Sequence, residues 1–163
     1  MGHVELRPLD DDDLDAVFEM MRDRDAVAKE AFTADDPDDR AAFDAWIARE
    51  RAADDVTLLV VTENGGFAGT AAAFTVGEDR EVSFWIARHA WGRGVATEAL
   101  RLLVSREPIR PLFARVAAHN AAAIAVLRRN GFAEIASDSA YAPGVGREVE
   151  ELIYALPPVL DGV

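Results

Sequence analysis

Between Phe84 and Glu98 the chain reads Phe-Trp-Ile-Ala-Arg-His-Ala-Trp-Gly-Arg-Gly-Val-Ala-Thr-Glu. A strand-like apolar run leads into two glycines one residue apart, and a helix-like run follows. Gly92 and Gly94 allow backbone torsions and close approach that a Cβ would block. Such a turn presents several free N–H groups at a helix N-terminus, a geometry that favours phosphate. A tight strand–helix junction without a ligand would use the same glycines. The stretch lacks the Gly-Lys-Ser/Thr of a nucleotide P-loop. It also lacks the third glycine of a dinucleotide fingerprint, because Thr97 stands there.

A second stretch runs from Asn120 to Phe132. Asn120 is a good N-cap for a helix over 121–129, and Asn130-Gly131 closes it. Arg128 and Arg129 end that helix, where they complement its dipole or meet an anion. Charge supports the second role. Residues 1–82 carry 22 acidic and 8 basic side chains, whereas residues 83–132 hold only Glu98 and Glu107 against eight arginines. A local basic region in an acidic chain can mark an anionic ligand, although it can also be a solvated surface.

The elements that must position these groups follow from periodicity. Residues 3–7 alternate like a half-buried strand that Pro8 ends. Asp10 to Asp13 precede Leu14, Val17, Phe18 and Met21, whose spacing predicts an amphipathic helix with acids in its first turn. That acidic run therefore has a structural role, and no metal site is expected. Residues 31–34 read as a loop, and Pro37 suits the first turn of a second helix carrying Phe43, Trp46 and Ile47. Three strands follow, over 57–62, 67–76 and 81–86. Asn64-Gly65 makes the first hairpin turn, and Gly69 marks a bulge or close approach. A helix over 96–104, a strand over 112–116, the helix over 121–129 and strands over 132–137 and 148–156 complete the order. A Gly-rich loop containing Tyr141 joins the last two strands. The expected fold is α+β, a mostly antiparallel sheet flanked by helices.

The length of 163 residues fits a single domain, 1–163. The absence of Cys excludes a disulfide framework, Cys-ligated zinc, iron–sulfur clusters and thiol catalysis. No apolar run reaches the roughly 20 residues of a membrane span. The N-terminus lacks signal-peptide character. A cytoplasmic protein with no membrane partner is expected. The net charge of -13 argues against nucleic acid, which is bound by neutralising phosphates with Lys and Arg.

Read together, the two stretches resemble the GNAT superfamily of acyl-CoA N-acyltransferases. His89-Ala90-Trp91-Gly92-Arg93-Gly94 matches its pyrophosphate motif, and Asn120 to Phe132 matches its Asn-to-Gly-Phe helix. The run from Phe-Trp-Ile to Thr-Glu-Ala-Leu is most similar to the branch that acetylates ribosomal-protein N-termini (RimJ/RimL-like), which also includes small-molecule acetyltransferases. The resemblance implies acetyl-CoA as cosubstrate and a central sheet with splayed strands. It implies that the amides of Gly92, Arg93, Gly94, Val95, Ala96 and Thr97 hold the pyrophosphate, with Trp91 beside them. Phe84, Trp85 and Ile86 pair with the pantetheine. Asn120 contacts the cofactor, and Arg129, with Arg128 or Arg93, meets the 3′-phosphate.

The implied reaction is direct attack of a primary amine, a peptide N-terminus or a small molecule, on the thioester. A carboxylate must first take the amine proton. Glu81 is the leading candidate, and His3, Glu30 and His89 are others. The general-acid Tyr frequent in the family is replaced by Leu127. A hydroxyl that another branch places four residues earlier is replaced by Ala123. Tyr141 is the remaining candidate acid. Two alternatives stay open: a non-catalytic acyl-CoA-binding module, and a nucleotide-binding regulatory domain. Dimers are common among similar proteins, so the resemblance leaves a homodimer possible, and the residues themselves do not set the oligomeric state.

Overall fold

The computed structural model describes residues 2–158, so the ends of the expected 1–163 domain lie outside the described residues. Its strands are β1 (Val4–Pro8), β2 (Thr57–Glu63), β3 (Gly66–Val76), β4 (Asp79–Ile86), β5 (Leu112–Ala117), β6 (Ala133–Ala142) and β7 (Arg147–Leu156). They form one sheet in the order β1-β2-β3-β4-β5-β7-β6. Every neighbouring pair is antiparallel except β4 and β5. The hairpin at Asn64-Gly65 forms as expected, with φ of 52° and 82° at the two residues.

The helices are α1 (Leu14–Arg22), α2 (Arg24–Glu30), α3 (Arg40–Ala52), α4 (Val95–Arg106) and α5 (Ala121–Arg129). They cover both faces. On one side Leu100 and Leu103 of α4 and Leu127 of α5 bury against Leu6, Val61, Val82 and Leu112. On the other, Val17 and Phe18 of α1 join Phe43 and Ile47 of α3 around Leu58, Phe67 and Trp85. The period of two along β4 decides which residues serve which layer. Phe84 and Ile86 turn to the α4 layer, and Trp85 turns to the α1 layer.

β4 and β5 pair only at Arg80↔Leu112 and Glu81↔Phe113. Beyond that point β4 follows β3 and β5 follows β7, so the two central strands part. The expected splay is present.

Three expectations are corrected. Pro37 lies before the helix it was expected to open, and Asp39 caps α3 by accepting from the Ala42 N–H at 3.0 Å. An additional helix, α2, precedes it, opened by Asp23, which accepts from the N–H groups of Asp25 and Ala26. The last two strands are longer than expected, so Tyr141 lies on β6 and not in the connecting loop, and it is 61% exposed. The acidic run is structural as expected. Asp10 accepts from the Asp12 N–H at 2.7 Å, and Asp13 accepts from the Asp10 N–H and pairs with Arg7 at 2.8 Å. That guanidinium holds the Asp13 carboxyl below the usual carboxylate range.

Candidate active site

The parting of β4 and β5 opens a cleft of about 420 Å³. Its floor at one end is the turn into α4. Gly92 and Gly94 have φ of 75° and 80°, the left-handed region that glycine enters at least cost. Gly94 occupies the N-cap position and no side chain caps the helix. The first N–H groups of α4 are thus left for a ligand. The Thr97 hydroxyl in the same turn is buried without a hydrogen-bond partner and lines the cleft. An oxyanion at this helix end would satisfy both. A Cβ built on Gly92 meets nothing within 4 Å, so open space lies in front of the cradle.

The free edge of β4 forms the next wall. The Ala87 N–H donates to Ala68 O at 2.8 Å. By the alternation of an antiparallel ladder, the N–H and C=O of Ile86 and Phe84 then face away from β3, into the gap. Trp91 lines the cleft and donates its Nε1–H to Ile86 O at 2.7 Å. Gly69 holds this edge in place. A Cβ there would lie 2.2 Å from Trp85 O, so only glycine lets β3 come this close to β4.

Asn120 and Arg129 complete the cradle side. The Asn120 side chain accepts from the Ala123 N–H at 3.2 Å, capping α5, and lines the cleft. The basic segment is less available than its composition suggests. Arg88 pairs with Asp23 and Asp25 at 2.6 Å, and Arg115 reaches Glu81 at 3.6 Å and Glu151 at 3.3 Å. Arg93 turns to Glu63 at 2.6 Å and does not line the cleft. Arg128 and Arg129 form no ion pair with the described residues, and Arg129 lines the cleft. Carboxylates of the acidic half thus pair with three of the eight arginines that stood out in the sequence.

Two carboxylates sit near the parting. Glu81 is on the last β4–β5 pair, 6% exposed and facing Arg115. Burial pushes its carboxyl up, and Arg115 opposes the shift. It is outside the cleft lining. Glu30, at the end of α2, lines the cleft facing Asn120. Burial pushes its carboxyl up to about 7, against the pull of Lys29 and Asn120. Sequence periodicity missed the helix that carries Glu30, although Asp23 as an N-cap would have signalled its start. Three contacts fix that helix: Arg88 on Asp23, His119 Nε2 at 2.8 Å from Ala28 O, and the Gly144 N–H donating to Ala31 O at 2.8 Å. Lys29 lies over the Trp91 ring at 4.0 Å.

The other sequence candidates are elsewhere. His3 pairs with Glu5 at 2.8 Å and His89 meets Phe67 O at 3.0 Å. Tyr141 is exposed on β6 and lines no part of the cleft. Leu127 is core, 1% exposed, and Ala123 lines the cleft without a hydroxyl.

A sheet parted at its centre, with an amide cradle at the parting, is the architecture that the sequence resemblance implied. The family model described as the acetyltransferase (GNAT) domain matches residues 3–133, and the chain belongs to that family. A comparison with curated proteins gave no match. Among solved structures it is similar to spermidine N-acetyltransferase from Vibrio cholerae in complex with CoA and spermine, with a TM-score of 0.82 at 15% identity over 94% of this chain and 95% of that one. It is similar to ribosomal-protein-alanine N-acetyltransferase from Brucella melitensis, with a TM-score of 0.78 at 25% identity over 94% and 99%. RimJ from Mycobacterium smegmatis, in complex with CoA-disulfide, has a TM-score of 0.79 at 24% identity over 96% and 82%.

Proposed function

We propose that this protein transfers an acetyl group from acetyl-CoA to a primary amine, by direct attack of the amine on the thioester. The observation that carries this reading is the convergence in one cleft of the amide cradle, the free edge of β4 and the Glu30 carboxylate. The residues present fit acetyl-CoA. The N–H groups of α4 and the unpartnered Thr97 hydroxyl suit the pyrophosphate, the gap-facing backbone of Phe84 and the Ile86 N–H suit the pantetheine amides, and Arg129 suits the 3′-phosphate. Acetyl-CoA supplies the activated acyl carbon and a thiolate leaving group.

The chain supplies position, charge stabilisation and a proton acceptor. Holding amine and thioester together removes most of the entropic barrier. In this reading the Phe84 N–H, which faces the gap, donates to the oxyanion that develops at the thioester carbonyl. Glu30 takes the proton that the attacking ammonium must lose, because it lines the cleft where Glu81 does not. With burial raising its carboxyl to about 7, Glu30 is poised between its forms at neutral pH. No hydroxyl of α5 faces the cleft, and the thiolate leaves without a dedicated acid from that helix. That same feature favours a second reading, acyl-CoA binding without transfer.

The test is calorimetry with acetyl-CoA followed by thiol detection across an amine panel, on the intact protein and on Glu30→Gln and Glu81→Gln. Binding with thiol release that Glu30→Gln abolishes supports the proposal. Binding without release from any amine selects the second reading. Absence of binding defeats both.

A further inference from the structure

The chain holds a single lysine, Lys29, against sixteen arginines. Lys29 lines the cleft at the β4–β5 parting, where it and Arg129 are the two cations. The two are not chemically equivalent. A guanidinium stays protonated, whereas an ε-ammonium that loses a proton becomes a primary amine. Lys29 is thus the one side chain of the molecule that carries the nucleophile the acceptor must carry. It stands where the thioester is proposed to lie.

The surrounding contacts hold it there without locking it. Its Nζ lies 4.0 Å from the centroid of the Trp91 ring. Trp91 is fixed to the edge of β4 through its Nε1–H, which donates to Ile86 O at 2.7 Å. From Ile86 to Phe84 is two residues of strand, about 7 Å. The flexible four-carbon stem of a lysine covers that range by changing rotamer. Lys29 forms no ion pair with the described residues. Glu30, the next residue, lines the same cleft, and the charge of Lys29 acts on its carboxyl. The contacts that dock α2, from Arg88, His119 and Gly144, keep the amine beside the cleft. An amine held in this way reacts as if very concentrated.

We propose that Lys29 is a self-acetylation site, modified by the acetyl-CoA bound in its own cleft. This rests on reading that cleft as the acetyl-CoA site. The ammonium gives one proton to Glu30, and the free amine attacks the acyl carbon. The N–C bond forms and the C–S bond breaks. The second proton leaves the nitrogen as the adduct collapses and is taken up by the released thiolate. The products are a neutral amide and CoA. The amide removes one of the two cations of the cleft and the charge over Trp91. The modified protein therefore holds its polyanionic cosubstrate less tightly. External amines compete for the same thioester, so the modification accumulates when acceptor is scarce.

The test incubates the unaltered protein with acetyl-CoA and no acceptor, and follows the intact mass. The protein should gain one acetyl group, at a rate per molecule independent of protein concentration. Residues 25–40 should then survive trypsin as one peptide, because acetylated Lys29 resists cleavage. Lys29→Arg should gain no acetyl group in that segment. At subsaturating acetyl-CoA, Glu30→Gln and Gly92→Glu should each slow the gain by roughly 100-fold. The desalted, acetylated protein should bind acetyl-CoA about 5-fold more weakly by calorimetry, the scale of one charge on a phosphate. An unchanged Kd overturns the restraint on binding. Calorimetric binding of acetyl-CoA with no gain in mass overturns the inference and leaves the acetyltransferase reading intact. So does an acetyl group found only on the N-terminal amine, a rate per molecule that rises with protein concentration, or an equal rate in Gly92→Glu. Absence of acetyl-CoA binding in the unaltered protein instead defeats the underlying reading.

Discussion

The two cavities that meet at Trp85 are built from different materials. The cleft at the β4–β5 parting is made mainly of backbone and small residues: the amides after Gly92, the edge of β4, and alanines of α5. The neighbouring cavity is made of large side chains, Phe18, Phe43 and Trp46, drawn from two helices and closed by the 31–39 loop. The first suits a ligand with a fixed pattern of phosphates and amides, because backbone donors are common to any sequence that folds this way. The second is shaped by side chains, with Asp36 and Asp39 in its lining, and side chains can be exchanged there without disturbing the sheet.

If that division is right, damage to the backbone cradle and damage to the side chains around it should be read out differently. The largest effect is expected from Gly92→Glu. It places a side chain at φ 75° and a carboxylate before the cradle. Since like charges in contact cost several kcal/mol, the Kd for acetyl-CoA should rise ~100-fold or more. A normal Kd would mean that the cradle does not hold phosphate.

Glu30→Gln stands at the junction and should lower kcat by ~100-fold or more with little change in acetyl-CoA KM. In the intact protein kcat should rise with pH through about 7, as Glu30 ionises, and the variant should lose that limb. Stability gives an independent sign. A carboxyl held above its ordinary pKa favours the folded state less as pH rises from its ordinary value of 4.5 through about 7. The variant should therefore gain Tm at pH 8 and not at pH 4, measured by scanning calorimetry.

Gly144→Ala addresses the mounting of α2. A Cβ there would lie 2.4 Å from Val27 O and 2.9 Å from Ala31 O. The β6–β7 turn must then shift from the end of α2 that carries Glu30. The kcat should fall by ~10-fold, on the scale of a small misplacement of reactants, while acetyl-CoA affinity holds. The smallest effect is expected from Arg129→Ala. One exposed charge on a phosphate should be worth ~5-fold in acetyl-CoA affinity, and the difference should shrink as salt is raised.

The cleft proposed for the cofactor was legible because its demands fall on neighbouring residues. Gly92, Gly94 and Asn120 answer conformational and capping requirements that any reader of the sequence can state. The net charge told less. Eight arginines in fifty residues suggested an anion site, yet Arg88, Arg93 and Arg115 neutralise Asp23, Glu63 and Glu81 from the acidic half. Periodicity assigned no element between Met21 and the loop over 31–34. The seven residues of α2 are too few to show a hydrophobic period of their own. Glu30 therefore stood as one candidate base among several. Tyr141 looked like a loop residue because the glycines after it suggested a longer turn than the strands allow.

The sequence by itself determined the order of the elements other than α2, the hairpin at Asn64-Gly65, the amide cradle and the family. Each depends on torsions and caps set within a few residues. The tertiary structure alone decided which carboxylate enters the cleft and which arginines remain unpaired. It also decided that Phe18, Thr33, Phe43 and Trp85 enclose one cavity. Those outcomes depend on how far β4 and β5 part and on where α2 docks, and both are fixed by contacts between residues far apart in the chain.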